Sequence, residues 1–315
     1  MHFTVPCLTC CWMASKNGLP VSSLEDRSAA LPGGGLRVHA PGKINLNLLV
    51  GPRRVDGCHP VDSIVAKVAL YDRLDLQPRA DGQIRLRCRG PSCGPDEHNL
   101  AFRAAKLLAE HTGCTTGVDI ELTKGIAPGR GLGGGSSDAA AVLWGLNGLW
   151  SLRLQTETLA ALAGRLGSDV PLFHGSAASR VTGRGECVEP VQLHPFVAVL
   201  LLPDCSCSTA AVYRAFDERP SPMGWQMDLR VLAEPPSAWR GGLKNELAGA
   251  ARNVCPEMGR LWDELAAAVA LPVHLTGSGS GMFVLCDDEA EASAVMARLP
   301  RDLPCETLVA RGNPW

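Results

Sequence analysis

Five glycines fall within seven positions, at Gly129, Gly131, Gly133, Gly134 and Gly135, and run into Ser136-Ser137 and a stretch of small residues. Glycine enters positive-φ conformations freely, so this run can fold back with its N–H groups converging and no Cβ in the way. Ahead of it, Gly117–Thr123 alternates with the period of two of a strand. Behind it, Ala139, Ala140 and Ala141 with Val142, Leu143 and Leu146 predict a central helix from Ser136 to Leu149 that sits close to its neighbours. Strand, loop and helix in that order make an anion site from unpaired N–H groups and the positive end of the helix dipole. Ser136 and Ser137 add hydroxyls that reach a phosphate or its Mg²⁺. No GK[ST] follows, so the loop is not a Walker A sequence, and a phosphate-contacting lysine must come from elsewhere. A plain flexible turn with a serine N-cap is the alternative reading.

At 315 residues, 46% hydrophobic and 20% charged, the chain can bury a core and is long enough for two domains. Thirty basic against thirty-two acidic residues leave a net charge of -2, so no global field draws it to nucleic acid or an anionic membrane. Its longest strongly apolar stretch, Val197 to Leu202, is far short of the roughly 20 residues a bilayer span needs. Thirteen scattered cysteines suggest reduced thiols and a cytoplasmic protein. Cys7 and Cys10 form a CxxC beside Cys11, but neither His2 nor Cys88 and Cys93 supplies partners at ligand spacing, so no metal site is expected. Residues 1–35 lack a positive segment ahead of their apolar residues and end in Leu-Pro-Gly-Gly-Gly, which reads as an extension outside the fold, not a secretory signal.

Alternation predicts strands at 36–40 and 44–48, then β-rich segments at 61–76 and 84–88. Asn99 caps a helix through about Thr112, and a further helix covers Thr156–Leu166, ending at Gly167. Beyond Gly183-Arg-Gly-Glu186 the pattern restarts. Strands are expected near 187–193, 196–202, 272–276, 282–286 and 306–310, with helices near 208–217, 244–252, 257–268 and 288–299. That succession suggests a second α+β unit, placing domains at 36–185 and 186–315, with Pro220 to Pro236 an irregular connection.

Phosphoryl transfer to an alcohol needs positive charge on the phosphates and a carboxylate to orient or deprotonate the hydroxyl. Lys43, in Ala-Pro-Gly-Lys43-Ile-Asn45 between two predicted strands, can point one charge into a cleft; read alone it is a solvated strand-end lysine. Asp169, in Gly-Ser-Asp169-Val-Pro, read alone is a cap for the turn before Pro171. Together with the glycine loop, the balance for both shifts to the functional reading.

Pro41–Asn45, Arg54–His59, Lys124–Ala141, Gly167–Pro171 and Leu275–Gly281 together resemble the successive motifs of the 4-diphosphocytidyl-2-C-methyl-D-erythritol kinases, within the GHMP kinase superfamily. The resemblance spans about 36–310 in order. It implies a two-domain GHMP kinase fold, with a ribosomal-protein-S5-domain-2-like N-terminal domain and a ferredoxin-like C-terminal α/β sandwich. It further implies that ATP phosphorylates the 2-hydroxyl of a cytidine-diphosphate-linked methylerythritol in the non-mevalonate isoprenoid pathway, in a monomer or homodimer. Lys43 and Asp169 would be the catalytic pair, and Ala127, Pro128, Gly129, Arg130, Gly131, Leu132, Gly133, Gly134, Gly135, Ser136 and Ser137 the nucleotide cradle. Asn45 would line the acceptor site, His59 would read the cytosine edge, and the run at 277–281 would close over the substrate.

Two positions depart from the family. An aromatic residue that stacks on the cytosine usually precedes the histidine, and here stands Cys58, leaving Phe196 or Tyr213 to compensate. The proline that usually opens the loop is Ala127, with Pro128 one place later. The alternatives are another GHMP kinase, of the homoserine or mevalonate type, and a non-catalytic ligand sensor on the same fold. Retention of Lys43 and Asp169 counts against the sensor. A ribosome-associated protein of similar N-terminal architecture is disfavoured by the charge balance.

Overall fold

The computed structural model describes residues 27–90, 96–218, 220 and 228–312, which build two sheets. The first contains β1 (Ser28–Leu31), β2 (Gly35–Val50), β3 (Val61–Arg79), β4 (Ile84–Arg89), β5 (Gly117–Thr123), β6 (Ala178–Gly183) and β7 (Cys187–Pro190). Its order is β1-β2-β3-β5-β4, with β6 branching from β3 and β7 pairing β6. β3 is 19 residues long, so one half pairs β5 from Arg73 to Arg79 while the other pairs β6 from Val61 to Ala66.

Three expectations are corrected here. Strands 36–40 and 44–48 are one strand, because shifts in register at Pro41/Gly42 and Asn45/Asn47 let the chain pass Pro41 without leaving its pairing with β3. Residues 28–34 do not lie outside the fold, since β1 is an edge strand on β2 and a short 3-10 turn, Pro32–Gly34, joins them; residues 1–26, with the cysteines at 7, 10 and 11, lie outside the described residues. β7 pairs in the first sheet, so that sheet runs past 185 to Pro190. β6 escapes the sequence pattern because Ser179, Arg180 and Thr182 dilute its alternation, and its existence depends on the exposed edge of β3.

Against this sheet pack α1 (Leu100–Thr112), α2 (Gly134–Leu149) and α3 (Thr156–Leu166). Asn99 caps α1 by accepting from the Ala101 amide at 2.9 Å, and Gly113 closes it at φ 67°. α2 is buried almost all round, as its small residues foretold; a Cβ on Gly145 would stand 2.6 Å from Leu76.

The second sheet is antiparallel, ordered β11-β8-β10-β9, from β8 (Val197–Pro203), β9 (His274–Leu275), β10 (Met282–Cys286) and β11 (Cys305–Arg311). The helices α4 (Thr209–Asp217), α5 (Ala248–Val254), α6 (Pro256–Ala268) and α7 (Glu289–Arg298) complete an α/β sandwich. Every residue of β8 is buried, because the strand is covered on both sides. Val197, Val199 and Leu201 face the core under the helices, whereas Ala198, Leu200 and Leu202 join Ile44 and Leu46 of β2 and Ile64 and Ala66 of β3. The two sheets therefore share a core, and that shared layer sets β2 against the loops of the second unit.

Among the described residues no helix is long and apolar enough to cross a membrane. Eight described cysteines are free thiols, but Cys88 is disulfide-bonded, so the all-thiol expectation does not hold there.

Candidate active site

The glycine loop leaves β5 and enters α2 two residues earlier than expected, at Gly134, so Ser136 lies inside the helix and does not cap it. Gly129, Gly131 and Gly133 stand at φ 72°, 73° and 71°, a left-handed alternation that only glycine sustains cheaply. Gly133 is the N-cap and offers no side-chain acceptor, so the amides of the first turn stay open to a ligand. The Ser137 Oγ is buried and has no partner among the described residues. Leu132 contributes backbone only, its side chain being in the shared core. These features fit an anion with several oxygens, such as a nucleotide triphosphate.

Backbone from the second unit backs this loop. A Cβ on Gly131 would lie 2.4 Å from the Thr276 carbonyl, and one on Gly281 2.2 Å from the Arg130 carbonyl, so the two glycine runs pack main chain to main chain. Arg130 donates to the Cys205 carbonyl and to the Ser280 Oγ at 3.1 Å. Its side chain is thus engaged by the second unit, and only its main chain faces the loop. Asn245, in a stretch given no role beforehand, donates to the carbonyls of Leu275 at 3.0 Å and Gly277 at 2.8 Å.

Lys43 lies inside β2, 5% exposed, and its amide donates to the Leu132 carbonyl at 2.9 Å. Its Nζ donates to the Asn45 Oδ1 at 2.6 Å; the Asn45 Nδ2 donates to the Ser63 Oγ at 2.8 Å, and that hydroxyl donates to the Asn47 carbonyl at 2.5 Å. The Asn45 amide in turn donates to the Thr276 Oγ1 at 3.0 Å. The relay orients the ammonium without neutralising it. Burial holds the Lys43 ammonium below the ordinary lysine range, and the charge of Asp169 opposes that shift.

Asp169 is exposed in the turn after α3. It shares a cavity of about 360 Å³ with Lys43, Asn45, Gly131, Gly133 and Gly277. One wall is therefore the glycine loop, one is β2, and one comes from the second unit. Such a space can bring a triphosphate and a hydroxyl together between an ammonium and a carboxylate.

His59 does not line that cavity. Its ring sits 5.1 Å from Tyr213, which does, while Nδ1 lies 3.0 Å from the Gly51 carbonyl and Nε2 3.2 Å from Asp217 Oδ1. Of the two aromatic side chains proposed to compensate for Cys58, Phe196 is buried in the shared core, and Tyr213 alone reaches the cavity. Burial first, and the nearby Asp169, push the Tyr213 hydroxyl up to about 12.

A buried ionic cluster beneath the loop was not foreseen. Lys124 donates to Asp72 of β3 and, at 2.7 Å, to Asp138 of α2. Asp72 Oδ1 also accepts from the amides of Gly125 at 2.7 Å and Ile126 at 2.8 Å, which lead into the loop. Burial pushes the Asp138 carboxyl up to about 8 against the pull of Lys124. A carboxylate within the apolar run of α2 was the signal available in the sequence.

Profiles of two protein families match the chain, the GHMP kinases N terminal domain over residues 99–176 and the GHMP kinases C terminal over 237–305. A 4-diphosphocytidyl-2-C-methyl-D-erythritol kinase of Symbiobacterium thermophilum is 40% identical over 281 residues, which is 88% of this chain and 99% of the relative. Its counterpart in Bacillus subtilis is 36% identical, covering 81% of this chain and 90% of that one. A crystal structure of 4-(cytidine 5'-diphospho)-2C-methyl-D-erythritol kinase superposes with TM-score 0.71 at 35% identity, covering 88% and 99% of the two chains. The homoserine kinase of Cytophaga hutchinsonii, at TM-score 0.67 and 16% identity over 90% and 96%, shares the fold. On this combined evidence the chain belongs to the 4-diphosphocytidyl-2-C-methyl-D-erythritol kinases of the GHMP kinase superfamily.

Proposed function

We propose that the protein transfers the γ-phosphate of ATP to the 2-hydroxyl of 4-diphosphocytidyl-2-C-methyl-D-erythritol, in the non-mevalonate route to isoprenoid precursors. The observation that carries this reading is the placement of Lys43 and Asp169 in one cavity with the open amides of the glycine loop. Asp169 takes the proton of the acceptor hydroxyl. Lys43, held in place by Asn45, keeps that carboxylate ionised and offsets charge on the transferring phosphoryl group. The loop from Ala127 to Ser137 holds the phosphates through its amides. Mg²⁺ would arrive with the triphosphate and supply charge neutralisation, with the buried, unpartnered Ser137 hydroxyl a candidate to meet it. Among the described residues no cluster of His, Cys, Asp and Glu stands at metal-ligand spacing. His59 and Tyr213 form the end of the site that takes the cytosine, with Tyr213 in place of the missing aromatic at Cys58.

A coupled ATPase assay tests the reading. ATP consumption with Mg²⁺ is expected only when the cytidine-linked acceptor is present. Equal or faster turnover of mevalonate or homoserine would overturn the acceptor assignment.

A further inference from the structure

Between Gly129 and Gly135 two residues carry a side chain, Arg130 and Leu132. Glycine has the widest backbone freedom of any residue, so a loop made chiefly of it presents its amides in one arrangement only when held from outside. Leu132 supplies one hold: its side chain is in the shared core, and its carbonyl accepts from the Lys43 amide at 2.9 Å. Arg130 supplies the other.

Arg130 stands between Gly129 and Gly131, whose φ values of 72° and 73° turn the main chain on either side of it. Its Nη1 donates to the Cys205 carbonyl and, at 3.1 Å, to the Ser280 Oγ, which itself donates to that carbonyl at 2.5 Å. One guanidinium thus holds two segments of the second unit. Cys205 lies in the connection from β8 to α4, and the fully buried Ser280 lies in the second glycine run. The same two segments are joined again where the Thr209 Oγ1 of α4 and the Ser278 Oγ stand 2.9 Å apart, and both of those residues line the cavity of Lys43 and Asp169. A cation in a phosphate loop is ordinarily read as a phosphate ligand. Here its Nη1 is engaged by a carbonyl and a hydroxyl that lie 75 and 150 residues away along the chain.

We infer, resting on the ATP-dependent reading above, that Arg130 is a positioning residue for phosphoryl transfer: its guanidinium clamps the glycine loop to the second unit and so fixes the amides that receive the triphosphate. The side chain acts through the main chain of its own loop and not on the nucleotide. Removing it leaves the Cys205 carbonyl paired, because the Ser280 hydroxyl still donates to it. The fold therefore tolerates the loss, and the effect falls on the loop.

The test uses the full-length enzyme with Arg130→Ala, Arg130→Lys, Ser280→Ala and the Arg130→Ala/Ser280→Ala double variant. In Arg130→Ala the ATP KM should rise about tenfold and kcat should fall about tenfold, the scale on which a misplaced group acts, while the acceptor KM stays within about twofold. Arg130→Lys should recover part of the loss. Because Arg130 and Ser280 share the Cys205 carbonyl, their effects on the ATP KM should not simply multiply. Effects that do multiply would make Arg130 an independent phosphate ligand and overturn the inference. A lower melting midpoint with unchanged constants would reduce Arg130 to a structural contact and overturn it too. Calorimetric titration with a non-hydrolysable ATP analogue repeats the comparison with no acceptor present. If the wild type does not phosphorylate the cytidine-linked acceptor but Arg130→Ala still loses affinity for the analogue, the acceptor assignment falls and the clamp stands. An active wild type with an indifferent Arg130→Ala sinks the clamp alone.

Discussion

The Lys43 Nζ donates to the Asn45 Oδ1 at 2.6 Å, two residues along the same strand, and Asn45 passes the constraint on to Ser63 of β3. The Lys43 ammonium is thus oriented by a neutral amide, which keeps its positive charge available to the cavity. Asn45→Ala should lower kcat about 10- to 100-fold, as an unpositioned catalytic group does. It should also destabilise the fold by about 1–3 kcal/mol, because the Ser63 hydroxyl loses its donor in a buried site. Steady-state kinetics with a denaturant titration read both. An unaltered kcat would remove the relay from the mechanism.

Asp169 is exposed, so its neutral variant should fold normally. Asp169→Asn is expected to abolish turnover and to leave nucleotide affinity nearly intact, as the proposed action of the carboxylate on the acceptor requires. Calorimetric titration with a non-hydrolysable ATP analogue, beside the activity assay, checks the split. Turnover near the wild-type level would take Asp169 out of the reaction.

Gly131 stands at φ 73°, and its Cβ would meet the Thr276 carbonyl at 2.4 Å. Gly131→Ala should therefore separate the two glycine runs and raise the ATP KM by tenfold or more. Its cost in stability should be about 1–3 kcal/mol, from left-handed strain alone. A melting curve and ATP kinetics decide whether the packing of the two loops is needed for binding.

The Asp138 carboxyl is raised to about 8 in the folded protein, chiefly by burial, from an ordinary value near 3.8. A folded state that holds a proton the unfolded chain releases loses stability as pH rises, so this group contributes a decline from about pH 4 to about pH 8 and none beyond. Asp138→Asn removes the titration. Its stability relative to wild type should improve steadily across that window, then level off. Unfolding free energies measured from pH 5 to 9 give the slope, and parallel curves for the two proteins would refute it.

Cys58 is where an aromatic side chain usually stacks on the cytosine. Cys58→Tyr should tighten binding of cytidine diphosphate by about 1–3 kcal/mol if one face of the base is uncovered. Competition assays against the acceptor measure it. Unchanged inhibition would mean that Tyr213 already holds the base without a second ring.

Much of the site was legible because its chemistry is local. The glycine run, the serines after it and the small-residue helix are consecutive, so the anion cradle follows from backbone freedom and helix termini alone. Lys43 and Asn45 were legible as a pair because strand alternation puts residues two apart on one face. Helices at 156–166 and 209–217 followed from apolar spacing with clear ends. β6 was not legible, because its pairing comes from the unused half of β3, more than 110 residues earlier. Nor was the Lys124 cluster, whose carboxylates come from β3 and α2.

By itself, then, the sequence determined a glycine loop suited to phosphates ahead of a helix, a lysine and an aspartate suited to phosphoryl transfer, and a chain that alternates strand and helix. Only the tertiary structure decided that these parts meet in one cavity, that the second glycine run backs the first, and that Tyr213 rather than Phe196 lines that cavity. The reason is the shared core: alternate residues of β8 pack on β2 and β3, and that burial, which no local pattern encodes, brings the loops of the second unit to Lys43.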